Sequence, residues 1–140
     1  MDSAYCSPLN RSVPPAAPQE FRPLALGEHR IWPPVVLAPM AGVTNPPFRS
    51  ICRSFGAGLY ISEMITARPL VERNQKTDKL ASFAPDEPIR SLQLYGVDPY
   101  YVGEAASRLR GEGRIDDLDL NFGCPVSTVT RRGDGAGELA

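Results

Sequence analysis

Short runs that are either continuously apolar or alternate between apolar and polar residues are separated by stretches whose apolar residues recur at helical spacing. The runs are VVLAP (35–39), LYISEM (59–64), IRSLQLYG (89–96) and DDLDLNFG (116–123). The first is continuously apolar and partly β-branched, which is typical of a strand covered on both faces. The four runs predict four strands.

Each of the first three predicted strands is followed by a helical pattern. After the third, Asp98 is of N-cap type, Pro99 suits the first helical position and Gly111 lies near the stop. Asn45 and two prolines begin a similar helix after the first strand, and a less regular helical stretch runs from about residue 69 to 80.

This alternation of strand and helix predicts βαβ units with right-handed crossovers and a parallel sheet. A doubly wound sheet is disfavoured because the first turn, APMAGVTNPPF, lacks the G-x-G-x-x-G pattern. A barrel is favoured because residues able to carry chemistry follow every strand. These residues are Pro39, Met40, Glu63, Met64, Gln93, Asn121 and Cys124.

The predicted fold class is therefore α/β, as the N-terminal half of a (β/α)8 TIM barrel with about four parallel strands. Such a barrel typically takes about 250 residues, and the chain has 140. Residues 1–23 are rich in Pro, Ser and Ala without periodicity, which predicts a disordered tail. Residues 24–140 are expected to form the partial barrel, with a small hairpin or a cap around Gly27 ahead of the first long strand.

Composition narrows the class of protein. Hydrophobic residues make up 42% and charged residues 22% of the chain, as in a soluble domain with a core. The net charge of -1 means that any contact with RNA must be local. No stretch approaches the roughly 18 apolar residues that span a bilayer, so we expect no membrane partner.

Cysteine usage indicates a reducing, cytoplasmic location. Cys6, Cys52 and Cys124 are widely spaced and form no C-x-x-C pair. The pattern suits neither a disulfide framework nor a metal site, so we expect no metal. Cys52 lies on the apolar face of the first predicted helix, where we expect a buried, inert thiol.

Cys124 is the candidate for chemistry because it lies between Gly123 and Pro125, in a tight loop at the end of a strand. A nucleophilic thiolate needs an adjacent base or a lowered pKa. The single histidine, His29, precedes the first long strand, whereas Cys124 follows a strand, so His29 is not placed to act as its base. Since a free thiol with a pKa of about 8.5 stays mostly protonated at neutral pH, general acid is the better role.

For each of the other candidates, a role in the site and a purely structural or surface role both remain open. The Gln93 amide offers a donor and an acceptor to a heteroaromatic ring, or is a satisfied core glutamine. Glu63 binds substrate or orients its neighbours, or pairs with an arginine. The basic turn at Arg131 and Arg132 grips a phosphate backbone, or is a solvated loop.

Three segments together resemble the tRNA-dihydrouridine synthases, most closely the actinobacterial type within the bacterial B-like branch. They are VVLAPMAGVTNPPFRSICRSFGAGLYISEM (35–64), SLQLYGVDP (91–99) and DLDLNFGCP (117–125). They occur in the family's order and at nearly its spacing, and the resemblance runs from about Leu24 to Arg132.

The resemblance implies an FMN-containing (β/α)8 barrel, followed by a helical domain, that reduces uridines of tRNA to 5,6-dihydrouridine with NADPH. It implies that Cys124 protonates C5 of the uracil while a hydride from reduced flavin N5 goes to C6. It also implies that Gln93 hydrogen-bonds the flavin and that Asn121 helps to hold the base or ring. Contacts to FMN are implied for Pro39, Met40 and Ala41.

The loop after Cys124 departs from the family pattern. Thr128 stands near the place of a usual lysine, whereas Arg132 keeps a basic residue where one is common. The flavin-contacting lysine, the distal histidine, the phosphate loops and the helical domain of the family would all follow residue 140. We therefore expect the chain to be an inactive fragment by itself, with open sheet edges that favour self-association.

Two alternatives come from other classes of protein. One is a different FMN-dependent barrel oxidoreductase that acts on a small molecule without RNA. The other is a noncatalytic half-barrel remnant that self-associates.

Overall fold

The chain adopts an α/β fold with parallel strands, in a computed structural model that describes residue 17 and residues 19–123. The strands are β1 (Leu24–Leu26), β2 (His29–Ile31), β3 (Val36–Leu37), β4 (Leu59–Tyr60), β5 (Ile65–Thr66), β6 (Ser91–Tyr95) and β7 (Asp117–Leu120). The helices are α1 (Pro46–Arg53), α2 (Ala67–Val71), α3 (Gln75–Leu80) and α4 (Pro99–Gly111).

Of the two predicted alternatives ahead of the first long strand, the hairpin is confirmed. Strands β1 and β2 pair antiparallel, and Gly27 occupies the turn with φ +56°, in the left-handed region that glycine adopts easily. The exit of the hairpin lies against the start of β4, where a Cβ on Gly58 would collide with the carbonyl oxygen of Pro33. Close packing at Gly58 thus anchors the hairpin beside the parallel strands.

The parallel strands follow one another in sequence order. Strand β3 pairs with β4, and β6 pairs with both β5 and β7. A parallel bridge between Ile61 and Ser91 connects the segment after β4 to β6. The prediction of parallel strands joined by helices is confirmed for the described part of the chain.

Where the sequence predicts one strand over residues 59–64, the structure has β4 over residues 59 and 60 only and a separate strand, β5, that begins at Ile65. Between them the hydroxyl of Ser62 donates to the carbonyl of Glu63 and accepts from the N–H of Gln93. A side chain thus replaces part of the backbone ladder, which a pattern of apolar residues does not reveal.

The predicted helical stretch 69–80 is likewise two helices. Arg73 has φ +59°, which ends α2, and the Asn74 side chain accepts from the N–H groups of Lys76 and Thr77 to begin α3. The other predicted caps are confirmed: the side chains of Asn45 and Asp98 cap α1 and α4.

The core lies between β5 and β6 on one side and helices α2 and α4 on the other. Its buried members are Ile65, Ala67, Leu70, Ala81, Leu92, Leu94, Ala105 and Leu109. Leu92 and Leu94 therefore point towards the helices. The alternate residues Ser91 and Gln93 point to the opposite face of the sheet, because side chains alternate along a strand.

Helix α1 packs differently from the expectation. Cys52 is half-buried, and Ile51 and Phe55 are exposed. The buried side chain of α1 is instead Arg49. The apolar spacing of the helix did not predict this because the site that α1 covers contains a carboxylate.

That carboxylate is Glu87, which forms a bidentate pair with Arg49. Nε and Nη2 of Arg49 lie 2.8 Å from the two carboxylate oxygens, and the side chains are 0% and 1% exposed. Arg49 also donates to the carbonyls of Thr44 and Ser82. The pair joins α1 to the loop that leads into β6, with the charges satisfied on several sides.

None of the helices in the described part of the chain is long and apolar enough to cross a membrane.

Replacing Glu87 with alanine would leave the Arg49 guanidinium buried without its counter-charge. We expect the free energy of unfolding to fall by about 3–5 kcal/mol, measured by urea denaturation. The control is Glu72→Ala, which removes the partner of Arg68 in an exposed pair and should change stability little. Equal losses in the two variants would contradict the structural role of the buried pair.

Candidate functional site

Residues from successive parallel strands meet near the carboxyl edge of the sheet. The backbone N–H of Gly42, after β3, donates to Glu63 Oε2 at 2.9 Å. Met64, the neighbour of Glu63, has its sulfur 3.2 Å from Asn121 Nδ2, and the same nitrogen donates to Gln93 Oε1 at 3.2 Å. The structure thus brings Met64, Gln93 and Asn121 into direct contact, and Glu63 is the chain neighbour of Met64.

The turn after β3, with Pro39, Met40 and Ala41, is held from beneath by Thr44. The fully buried hydroxyl of Thr44 accepts from the N–H of Met40 at 3.0 Å and donates to its carbonyl at 3.1 Å. Gly42 has φ +73° and open space beside its Cα. The turn therefore presents an exposed backbone surface on a fixed base.

Glu63 is 7% exposed, and its described partner is the backbone of Gly42 rather than an arginine. The carboxylate ties the end of β4 to the turn after β3.

Gln93 lies inside β6, two residues before the strand ends, and is 8% exposed. Its Nε2 donates to Asp119 Oδ2 at 2.6 Å, and its Oε1 accepts from Asn121. Asp119 stands directly opposite Gln93 in the parallel register. The Gln93 amide is therefore held at both ends by side chains of one strand segment.

Asp119 and Thr44 were missed by the sequence analysis. A signal for Asp119 was present, because DLDLN alternates and places Asp117, Asp119 and Asn121 on one face of a strand. No comparable signal marked the base of the turn.

Cys124, Arg131 and Arg132 lie outside the described residues. The last described residue, Gly123, donates its N–H to Asn121 Oδ1 at 3.0 Å. The segment that leads to Cys124 is thus connected to the amide pair.

Comparison with known proteins decides the family. A family model described as dihydrouridine synthase matches residues 36–139, which is most of the chain. The chain belongs to the dihydrouridine synthase family. The match extends from β3 past β7 and includes every predicted site residue.

Named relatives agree with this assignment. The chain is 51% identical over 120 residues to a probable tRNA-dihydrouridine synthase of Mycobacterium tuberculosis, covering 81% of this chain and 31% of the relative. It is 38% identical over 117 residues to tRNA-dihydrouridine synthase B of Escherichia coli, covering 83% of this chain and 36% of the relative. The chain therefore spans about a third of the length of the curated relatives that it matches.

Two cavities lie away from the predicted site of this dihydrouridine synthase family member. One, of about 580 Å³, is lined at the amino ends of β6 and β7 by Arg90, Arg114 and Asp116. The other, of about 630 Å³, lies between the hairpin and α4. In residues 17 and 19–123, no three His, Cys, Asp or Glu side chains are grouped to hold a metal ion.

Glu63→Ala should free the Gly42 amide from its acceptor. We expect hydrogen exchange of the Gly42 N–H to accelerate by roughly tenfold, the effect of losing one hydrogen bond, as measured by NMR. Glu63→Gln keeps an acceptor oxygen and should leave the exchange rate nearly unchanged. An unchanged rate in Glu63→Ala would show that the carboxylate does not hold the turn.

Proposed function

We propose that this chain forms the amino-terminal half of a (β/α)8 barrel in a tRNA-dihydrouridine synthase. The reaction is reduction of uridine in tRNA to 5,6-dihydrouridine, with FMN as cofactor and NADPH as reductant. The observation that carries the proposal is the contact network from Gly42 and Glu63 to Gln93 and Asn121. It joins residues of successive strands within the segment that matches the family.

The half-barrel is supported by the two faces of the sheet. Leu92 and Leu94 face the helices, whereas Gln93, Asp117 and Asp119 share the opposite, polar face. In a closed barrel that face would line the interior, whose carboxyl end holds the active site. We propose that residues 24–140 form the partial FMN-binding domain, that residues 1–23 lie outside it as a tail, and that the protein acts in the cytoplasm.

The residues at the carboxyl edge fit the flavin ring. Met40 is 38% exposed, so part of its side chain is available on the turn after β3, and the buried Gln93 amide offers polar atoms. We propose that Pro39, Met40 and Ala41 contact the ring and that Gln93 hydrogen-bonds its polar edge. Bound FMN, reduced by NADPH, supplies the hydride for C6 of the uracil.

Cys124 supplies the proton in this proposal. Its thiol is the general acid that protonates C5 of the uracil. Its position one residue after Gly123 puts it next to the residue that Asn121 holds. Asn121 is proposed to help hold the base, and Glu63 to fix the turn on which the ring rests.

We propose that the target uridine leaves the base stack of the tRNA to enter the site. A uridine inside folded tRNA must swing out before its C5 and C6 atoms are accessible. We propose that Arg131 and Arg132 contact tRNA phosphates, which supplies local positive charge in a chain with net charge -1.

The proposal is tested in a chimera in which residues 24–140 replace the matching part of the Mycobacterium tuberculosis relative. With NADPH and unmodified tRNA, we expect dihydrouridine to form, as detected by mass spectrometry. Cys124→Ala should lower the rate by about 10²–10⁴-fold, the usual contribution of a general acid. The control Cys52→Ala, in α1, should leave the rate unchanged.

Two results would contradict the proposal. A chimera that binds FMN without forming dihydrouridine would refute the reaction, and full activity of Cys124→Ala would refute the acid. The 140-residue chain alone is expected to retain no FMN and to be inactive. The second candidate is a self-associating half-barrel, and it is supported by the exposed side chains of Val36, Ile51 and Phe55. A stable dimer of the 140-residue chain would favour this candidate.

A further inference from the structure

A chain of hydrogen bonds with one direction runs through the candidate site. Gly123 N–H donates to Asn121 Oδ1 at 3.0 Å, Asn121 Nδ2 donates to Gln93 Oε1 at 3.2 Å, and Gln93 Nε2 donates to Asp119 Oδ2 at 2.6 Å. Every donor in this chain points towards Asp119. The carboxylate is the end point of the chain and accepts its shortest bond.

The direction follows from the chemistry of Asp119. An ionised carboxylate only accepts hydrogen bonds, so the NH₂ group of Gln93 must face it. Gln93 Oε1 is then turned to Asn121, which must present its own NH₂ group, and Asn121 Oδ1 is left for Gly123. Without the carboxylate, the NH₂ group of Gln93 loses the acceptor that fixes it, whereas the Gly123 N–H and the Met64 sulfur still favour the present orientation of Asn121.

We propose that Asp119 is a positioning residue that orients the amides of Gln93 and Asn121 and, through them, the backbone at Gly123. Its relevance to flavin rests on the proposed function, in which Gln93 meets the polar edge of the ring. Gln93 then keeps one free hydrogen on Nε2 and one free lone pair on Oε1, and the positions of both are fixed. These positions favour a ring edge whose hydrogen-bond acceptor lies opposite Gln93 Nε2 and whose donor lies opposite Gln93 Oε1.

Asp117 provides a matched control on the same strand. Its carboxylate accepts from the hydroxyl of Ser91 at 2.6 Å, and it also lies opposite its partner in the β6–β7 register. It points to the same face as Asp119, but it contacts neither amide in the described structure. A purely structural role in pairing β6 with β7 predicts the same effects for the two residues.

The experiment uses the ¹⁵N-labelled 140-residue chain and observes the side-chain NH₂ signals of Gln93 and Asn121 with the backbone amide of Gly123. Asp119→Leu should shift all three signals and accelerate exchange of the Gln93 NH₂ protons by roughly tenfold. Asp117→Leu should leave them in place. Unchanged signals in Asp119→Leu, or equal changes in the two variants, would overturn the proposal.

A second variant, Asp119→Asn, tests the proposal even if Asp119→Leu does not fold. Asp119→Asn keeps the volume and an acceptor oxygen but no longer dictates which way the Gln93 amide turns. In the barrel chimera, we expect it to weaken FMN binding by about tenfold in a fluorescence titration, whereas Asp117→Asn should not. Equal FMN affinities in wild type and Asp119→Asn would overturn the positioning role.

The two hypotheses fail separately. If the NMR shifts occur as expected and the chimera makes no dihydrouridine, the orienting role stands and the proposed function is wrong. If dihydrouridine forms with unchanged FMN affinity in Asp119→Asn, the function stands and the role of Asp119 is wrong.

Discussion

The register between β6 and β7 is the constraint on which the candidate site depends. Within β7, Asp117 accepts from Ser91 and Asp119 accepts from Gln93, each from the residue opposite, and Asp116, just before β7, accepts from Arg90. Arg90 lowers the pKa of Asp116 to about 2, mainly through this hydrogen bond. A slip of one residue would reverse the face of every β7 side chain and remove Asp119 from Gln93.

The two ends of the parallel strands are chemically different. Arginine–carboxylate pairs occupy the amino side, where Arg90 meets Asp116 and Arg114 meets Asp78. The carboxyl side instead offers amides, a thioether and an uncovered turn at Gly42. This division matches barrel enzymes, in which the amino face serves stability and the carboxyl face serves chemistry.

Much of the fold was predictable because its signals are local. The caps at Asn45 and Asp98, the glycine turn of the hairpin and the apolar run of β6 each depend on nearby residues. Features that depend on distant partners were not predictable. The buried charge of Arg49 requires Glu87, 38 positions away in the chain. The role of Asp119 requires that it pair with Gln93, which is 26 positions away.

The central claim is that the carboxyl edge of this sheet forms one side of a flavin and uridine site. A crystal structure of the barrel chimera with FMN tests it most directly, through the positions of the Cys124 sulfur and the Gln93 amide. The account predicts that the ring lies on the turn at Met40, with the Gln93 amide at its polar edge and the sulfur facing it. A ring bound elsewhere, or a sulfur packed among the apolar side chains beneath α4, would contradict the account.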